Sequence, residues 1–269
     1  HGHGTAAFFF FFLEHRAAPE PKPVKQTVTL AVAEQPEAHP FIGVGAEDDG
    51  FFYNTRNAKQ GADAAAIALR EKRVAFVEPD WVRMFVWYPD WNPTLDGETF
   101  TWDSDNMRSR RRTLDVYQRL GARVTLCGVE WSCADRFLEH PERVARAVGA
   151  LLEHLIRDCG YTCIRDWTLT NEPNLSFIRY ENATFEAYRK LHALVRAECE
   201  ARDIDINIVG SDDGNGLAWF HRCVTDPKYR AMPGLYASHF YVPARDIGIA
   251  AAHVRDRREL LREHGLETP

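Results

Sequence analysis

Six short apolar runs, set apart by polar loops and stretches of helical period, give the chain its rhythm: 41–45 (FIGVG), 81–87 (WVRMFVW), 123–129 (RVTLCGV), 164–170 (IRDWTLT), 206–210 (INIVG) and 235–241 (LYASHFY). Each is rich in β-forming residues and bounded by Gly, Asp, Asn or Pro, as a strand between turns is. An earlier stretch, 26–32 (QTVTLAV), alternates in the manner of a further strand.

Helical patterns fill the intervals. Residues 58–72 are Ala-rich, and 106–120 end on Gly121, a natural C-terminal stop. In 141–158, Val144, Val148, Leu151, Leu152 and Leu155 recur at spacings of three and four, with Pro141 suited to the first turn. Phe185, Tyr188, Leu191 and Val195 do the same in 184–202, and a short helix at 219–226 and a longer one ending near His264 follow. Strands alternating with helices imply right-handed crossovers and a parallel sheet. The runs are apolar throughout, as strands covered on both faces are. The expected fold is therefore α/β, a (β/α)8 TIM barrel of which about six β/α units are present. A doubly wound nucleotide-binding sheet loses its support, because no G-x-G-x-x-G follows the first strand.

A chain of 269 residues, 45% hydrophobic, is long enough for one large domain. The barrel is expected over 26–269, after an N-terminal segment and linker at 1–25. That segment carries five consecutive Phe at 8–12, a run too short to span a bilayer and without a basic region in front of it. It reads either as the remnant of a leader or as a segment packed on the barrel floor, and His1 and His3 read as a chain end rather than a metal site. The net charge of −6 and pI near 6.0 point away from nucleic acid and from an anionic membrane as partners. The basic run from Arg108 to Arg112 reads as the solvated face of a helix. Six cysteines include no C-x-x-C pair and no zinc pattern. Cys127 reads as a buried free thiol, whereas Cys159 and Cys163 flank a turn at a spacing open to pairing in an oxidising compartment.

In a parallel barrel, functional side chains gather at the C-terminal ends of the strands. Those positions hold Glu47; Arg83, Trp87, Tyr88 and Trp91; Glu130 and Trp131; Asn171 and Glu172; Asp212 and Asp213; and His239 and Tyr241. Aromatic faces for a pyranose, with charged groups for its hydroxyls, suit a sugar. Several of these positions have plainer readings. Residues 47–50 read as a loop, 212–214 as a turn, and Glu130 as a rim or structural residue. Arg83 could instead simply pair with a structural acid, and His239 could be a satisfied core histidine.

The string NEPNLSF, from Asn171 to Phe177 after the fourth run, resembles the acid/base motif of glycoside hydrolase clan A, the retaining (β/α)8 glycosidases. It is most similar to that of the β-xylosidase and α-iduronidase family, and cellulase-like families share its shorter core. The resemblance implies that Glu172 is the general acid and then base, and that Asn171 bonds the sugar 2-hydroxyl. It further implies that Arg83 orients the local carboxylates, that His239 and Tyr241 contact nucleophile or sugar, and that Trp87, Trp131 and Glu130 line the substrate site. The implied activity is hydrolysis of β-linked poly- or oligosaccharide without metal or organic cofactor; secretion would follow from such a role, and 182–184 form a glycosylation sequon. The retaining mechanism needs a second carboxylate about 5 Å from the first, and the clan carries it on strand seven. The chain is expected to stop before that strand, so that a C-terminal segment or a second chain would complete the barrel. A carbohydrate-binding partial barrel without catalysis is the alternative. A metal-dependent barrel lyase or isomerase is a weaker rival, since the rim offers few His.

Overall fold

The computed structural model describes residues 43–129, 134–241 and 247–266. The strand expected at 26–32, the segment at 1–25, and both Glu130 and Trp131 lie outside them.

Six strands form one sheet in chain order: β1 (Gly45–Asp48), β2 (Trp81–Trp87), β3 (Arg123–Val129), β4 (Ile164–Thr168), β5 (Asn207–Gly214) and β6 (Leu235–His239). Every neighbouring pair is parallel, and the sheet curls as the first part of a (β/α) barrel. The crossovers carry α1 (Thr55–Lys59), α2 (Ala64–Val77), α3 (Asp105–Leu120), α4 (Ala134–Glu139), α5 (Pro141–Glu153), α6 (Phe185–Ala201) and α7 (Leu217–Thr225), with α8 (Ile247–Glu263) after β6. Local chemistry fixes the ends. Ser104 accepts from the Met107 amide to open α3, Gly121 closes it in left-handed backbone (φ +72°), and Thr184 caps α6 through the Ala187 amide.

The alternating positions of β2 divide the two sides of the sheet. Val82, Met84 and Val86 are fully buried toward the helices, against Leu114 of α3, Val148 and Leu151 of α5, and neighbours. Each such side chain contributes roughly 1.5–3 kcal/mol over leaving it exposed. The lumen side is not apolar as expected. It carries Arg83, Arg123, Thr125, Asp166 and Asp212, which satisfy one another across the strands. At the N-terminal end of the lumen, Arg123 grips Asp166 with Nε and Nη2 at 2.7 and 2.6 Å, while the Trp81 indole donates to Thr125.

Three further expectations need correction, and the pairing of Cys159 with Cys163, left open by the sequence, is not formed. Of the first expected strand, 41–45, residues 41 and 42 lie outside the described residues; the described strand is Gly45–Asp48, because Gly43 takes φ +129° and the Val44 amide turns to the Asp80 carboxylate before pairing begins. The helix expected at 58–72 is two helices, broken where Gly61 takes φ +102° and Asp63 caps a new start at the Ala66 amide. The basic run is not wholly solvated. Arg110 lies on the face of α3 shared by Met107 and Leu114, fully buried against Asp90 and over the Phe51 ring at 4.6 Å, while Arg111 and Arg112 stay outside with Asp103 and Glu71. Cys159 and Cys163 are free thiols, as are Cys127, Cys199 and Cys223; Cys163 is buried at the head of β4, and Cys159 lies against the His154 ring instead.

Candidate active site

Beyond Thr168 the chain leaves β4 through Leu169 and Thr170, both buried, and delivers Asn171 and Glu172 to the mouth of the lumen. Glu172 takes φ +47°, an uncommon conformation for a residue with a side chain. Several bonds hold it there. Its amide donates to the Asp212 carbonyl at 3.1 Å, its own carbonyl accepts from the Leu175 and Ser176 amides at 2.8 Å, and the Ser176 hydroxyl donates to the Asn171 carbonyl at 2.6 Å. The Asn174 side-chain amide bonds both the amide and the carbonyl of Gly214, at 2.8 Å each, tying this loop to the end of β5.

The side chains meet in one connected cluster. His239, the last residue of β6, sets Nδ1 3.0 Å from Glu172 Oε1 and Nε2 3.0 Å from Asp212 Oδ1. Arg83 of β2 donates from Nη2 to Asp212 Oδ2 at 2.7 Å, Asn171 Oδ1 at 2.8 Å and Cys127 Sγ at 3.1 Å, and from Nη1 to Glu47 Oε2 at 3.0 Å. Asp212 is 1% exposed with both oxygens engaged. Burial alone would raise its pKa, but the bonds from His239 and the charge of Arg83 outweigh burial and hold the carboxyl below the usual range. For His239 burial works against the charged form, and the Asp212 carboxylate reverses that and raises the imidazole pKa. Arg83 is raised too: its burial is overcome by Cys127 and Asp212.

Each ring nitrogen of His239 faces a carboxylate oxygen. The imidazolium donates to both; the neutral ring can satisfy both only if Glu172 is protonated and donates to Nδ1. The Glu172 carboxyl and the His239 ring are thus direct hydrogen-bond partners.

Of the residues singled out from the sequence, Arg83, Asn171, Glu172 and His239 converge here. Trp87 lies beside the cluster in the lumen mouth, packed with Phe85, Cys127 and Val129 and 4.7 Å from the Phe51 ring. Tyr241 stands on the rim, 77% exposed, its hydroxyl pushed up by partial burial and then by the charges of Glu172 and Glu47. Two members of the cluster were misread. Glu47, taken for a loop residue, is in β1 opposite Arg83, and Asp212, taken for a turn residue, is in β5. Ser-Asp-Asp-Gly carries turn chemistry, and here it forms a strand with a register shift between Ser211 and Asp213. Among the described residues no three His, Cys, Asp or Glu side chains form a metal-ligand group, and no helix is long and apolar enough to cross a membrane.

No known family model matches the sequence, and no curated protein matches it. Solved structures do match the fold. An exo-β-1,4-mannosidase from Opitutaceae bacterium strain TAV5 superposes with TM-score 0.51 at 19% identity, over 74% of this chain and 38% of that one. A GH39 β-xylosidase from Caulobacter crescentus gives 0.53 at 16% identity, over 81% and 49%. Endo-glycoceramidase II from Rhodococcus sp. gives 0.52 at 13% identity, over 83% and 62%. The chain thus spans between about two fifths and three fifths of the length of these glycoside hydrolases, and what it shares with them is the barrel fold.

Proposed function

We propose that the chain carries the acid/base part of a retaining glycosidase site acting on β-linked poly- or oligosaccharide, with Glu172 as the proton donor. The observation that carries this reading is the contact between Glu172 Oε1 and His239 Nδ1 at 3.0 Å, at a strand end that opens to the lumen. A general acid needs a proton held where it can be given up and regained. In the proposed cycle Glu172 gives its proton to the leaving-group oxygen while a second carboxylate attacks the anomeric carbon. Glu172, now a carboxylate, then takes a proton from water as that water opens the glycosyl intermediate. His239, charged and braced by Asp212, stabilises the carboxylate that forms. Asn171, oriented by Arg83, is proposed to bond the sugar 2-hydroxyl. Trp87 offers an aromatic face, and Tyr241 a hydroxyl at the rim; Trp131 and Glu130 are proposed to line the same site.

Asp212 does not suit the nucleophile role, since it is buried with both oxygens engaged. The clan resemblance assigns that role to a seventh strand, and the described residues contain six. The full engagement of Asp212 favours a second reading, a barrel that binds saccharide without cleaving it. Hydrolysis of aryl β-glycosides by the wild-type chain and by Glu172→Gln separates them. Turnover lost in the variant supports catalysis, saccharide binding without turnover supports the second reading, and turnover unaffected by the substitution removes Glu172 from the chemistry.

A further inference from the structure

Behind the cluster, β5 adopts a backbone that strands rarely use. Ser211 and Asp212 are both left-handed, at φ +64° and +49°, where the pairing with β6 shifts register. Such a backbone is strained for a residue with a side chain and persists only where its surroundings over-determine it.

Two tyrosines supply the constraint. The Ser211 amide donates to the Tyr229 hydroxyl at 3.2 Å, the Tyr229 hydroxyl donates to that of Tyr188 at 3.4 Å, and the Tyr188 hydroxyl donates to the Ser211 carbonyl at 3.3 Å. Each hydroxyl gives one bond and receives one, so a closed ring begins and ends on a single residue. Both side chains are fully buried, stacked at 5.7 Å, one on α6 and one in the turn after α7. Burial pushes both hydroxyls well above the ordinary tyrosine pKa, so they remain protonated donors. The Ser211 side chain is fixed as well, its hydroxyl donating to Asp213 Oδ1 at 2.7 Å.

We propose that Tyr188 and Tyr229 are positioning residues for the acid/base cluster. Their ring holds the left-handed pair, and the pair sets the Asp212 carboxylate against His239 and Arg83 and its carbonyl against the Glu172 amide. Neither tyrosine is within reach of a substrate. They act through the backbone N–H and carbonyl of Ser211, the residue next to the carboxylate they aim. The catalytic consequence rests on the proposed role of Glu172; the geometric claim does not.

Tyr188→Phe and Tyr229→Phe each keep the packed ring and delete one link. The groups facing His239 are Glu172, Asp212 and Arg83, so a displaced Asp212 is read directly in the imidazole titration by NMR. The expected result is a His239 midpoint lowered by about half a pH unit or more in both variants. Tyr161→Phe is the control: its hydroxyl bonds the Arg111 carbonyl and Asp115, away from the site, and its loss lowers stability without moving His239. Unchanged His239 midpoints in the folded Tyr188 and Tyr229 variants would overturn the proposal. In the wild-type chain the Ser211 amide is expected to exchange as slowly as the core amides of β5. Exchange at the rate of exposed loop amides would overturn it whether or not the variants fold. None of these readouts depends on turnover, so the ring and the glycosidase reading can fail separately.

Discussion

Arg83 and Asp212 meet across the lumen, Nη2 to Oδ2 at 2.7 Å, from strands 129 residues apart in the chain. That contact joins β2 to β5 and makes one guanidinium the organiser of the cluster. Its planar fork reaches Asp212, Asn171 and Glu47 at once, which a lysine ammonium cannot do.

Removing Arg83 leaves Asp212 buried with His239 as its remaining charged partner. Breaking a buried ion pair costs about 3–5 kcal/mol, and with His239 still in place Arg83→Ala should fall near about 3 kcal/mol in urea unfolding. Arg83→Lys should recover part of that stability without restoring the orientation of Asn171. Equal stability of wild type and Arg83→Ala would mean that the pair adds nothing.

Asp212→Asn tests the electrostatics of His239. The folded imidazole pKa is raised above its ordinary 6.5, so its stabilisation is complete below that value and is lost as pH rises through the folded pKa. The asparagine variant removes the main cause. Its His239 midpoint should fall, and the loss of stability expected of wild type on the alkaline side of 6.5 should disappear from urea midpoints measured across that range.

His192 should act in the opposite direction. It is fully buried on α6 beside Tyr188 and Tyr229, neither ring nitrogen has a hydrogen-bond partner, and burial lowers its pKa from 6.5 to about 3. The unfolded chain takes up a proton below 6.5 that the folded chain refuses. Stability should therefore be full above that pH and decline between it and about 3, at up to about 1.4 kcal/mol per pH unit. His192→Leu should flatten that decline, and an unchanged acid limb would contradict the assignment.

Gly214→Ala places a methyl 2.6 Å from Leu175 Cδ1 and 3.0 Å from Glu172 Cδ. The Gly214 backbone is not left-handed, so the effect is one of crowding. Overpacking of this kind costs about 1–3 kcal/mol, and here the yielding group is Glu172 or its loop. The Glu172 carboxyl and His239 ring resonances should both shift, whereas shifts confined to Leu175 would place the strain elsewhere.

Much of the fold was legible because β2 and β3 are short runs rich in β-forming residues, and their expected ends coincide with the strands. The Asn-Glu-Pro after β4 was legible as well, since a carboxylate following a buried strand is conspicuous. Glu47, Asp212 and Arg110 were not. Composition reads Glu-Asp-Asp-Gly and Ser-Asp-Asp-Gly as loop and turn, and a buried charge becomes recognisable only when its partner from another element is known. Asp212 needed Arg83 and His239, and Arg110 needed Asp90. The same limit hid the tyrosine ring: Tyr188 read as part of an apolar helix face, and its link with Tyr229 closes around one distant residue, Ser211.

The role of Glu172 is tested most directly by the leaving-group dependence of Glu172→Ala on aryl β-glycosides. A residue that protonates the departing oxygen is needed most when that oxygen is basic. The variant should lose about 10²–10⁴-fold in kcat/KM on substrates with poor leaving groups, retain first-step turnover on highly activated ones, and regain rate with added azide. A uniform loss across all leaving groups, without rescue by azide, would contradict Glu172 as the acid/base.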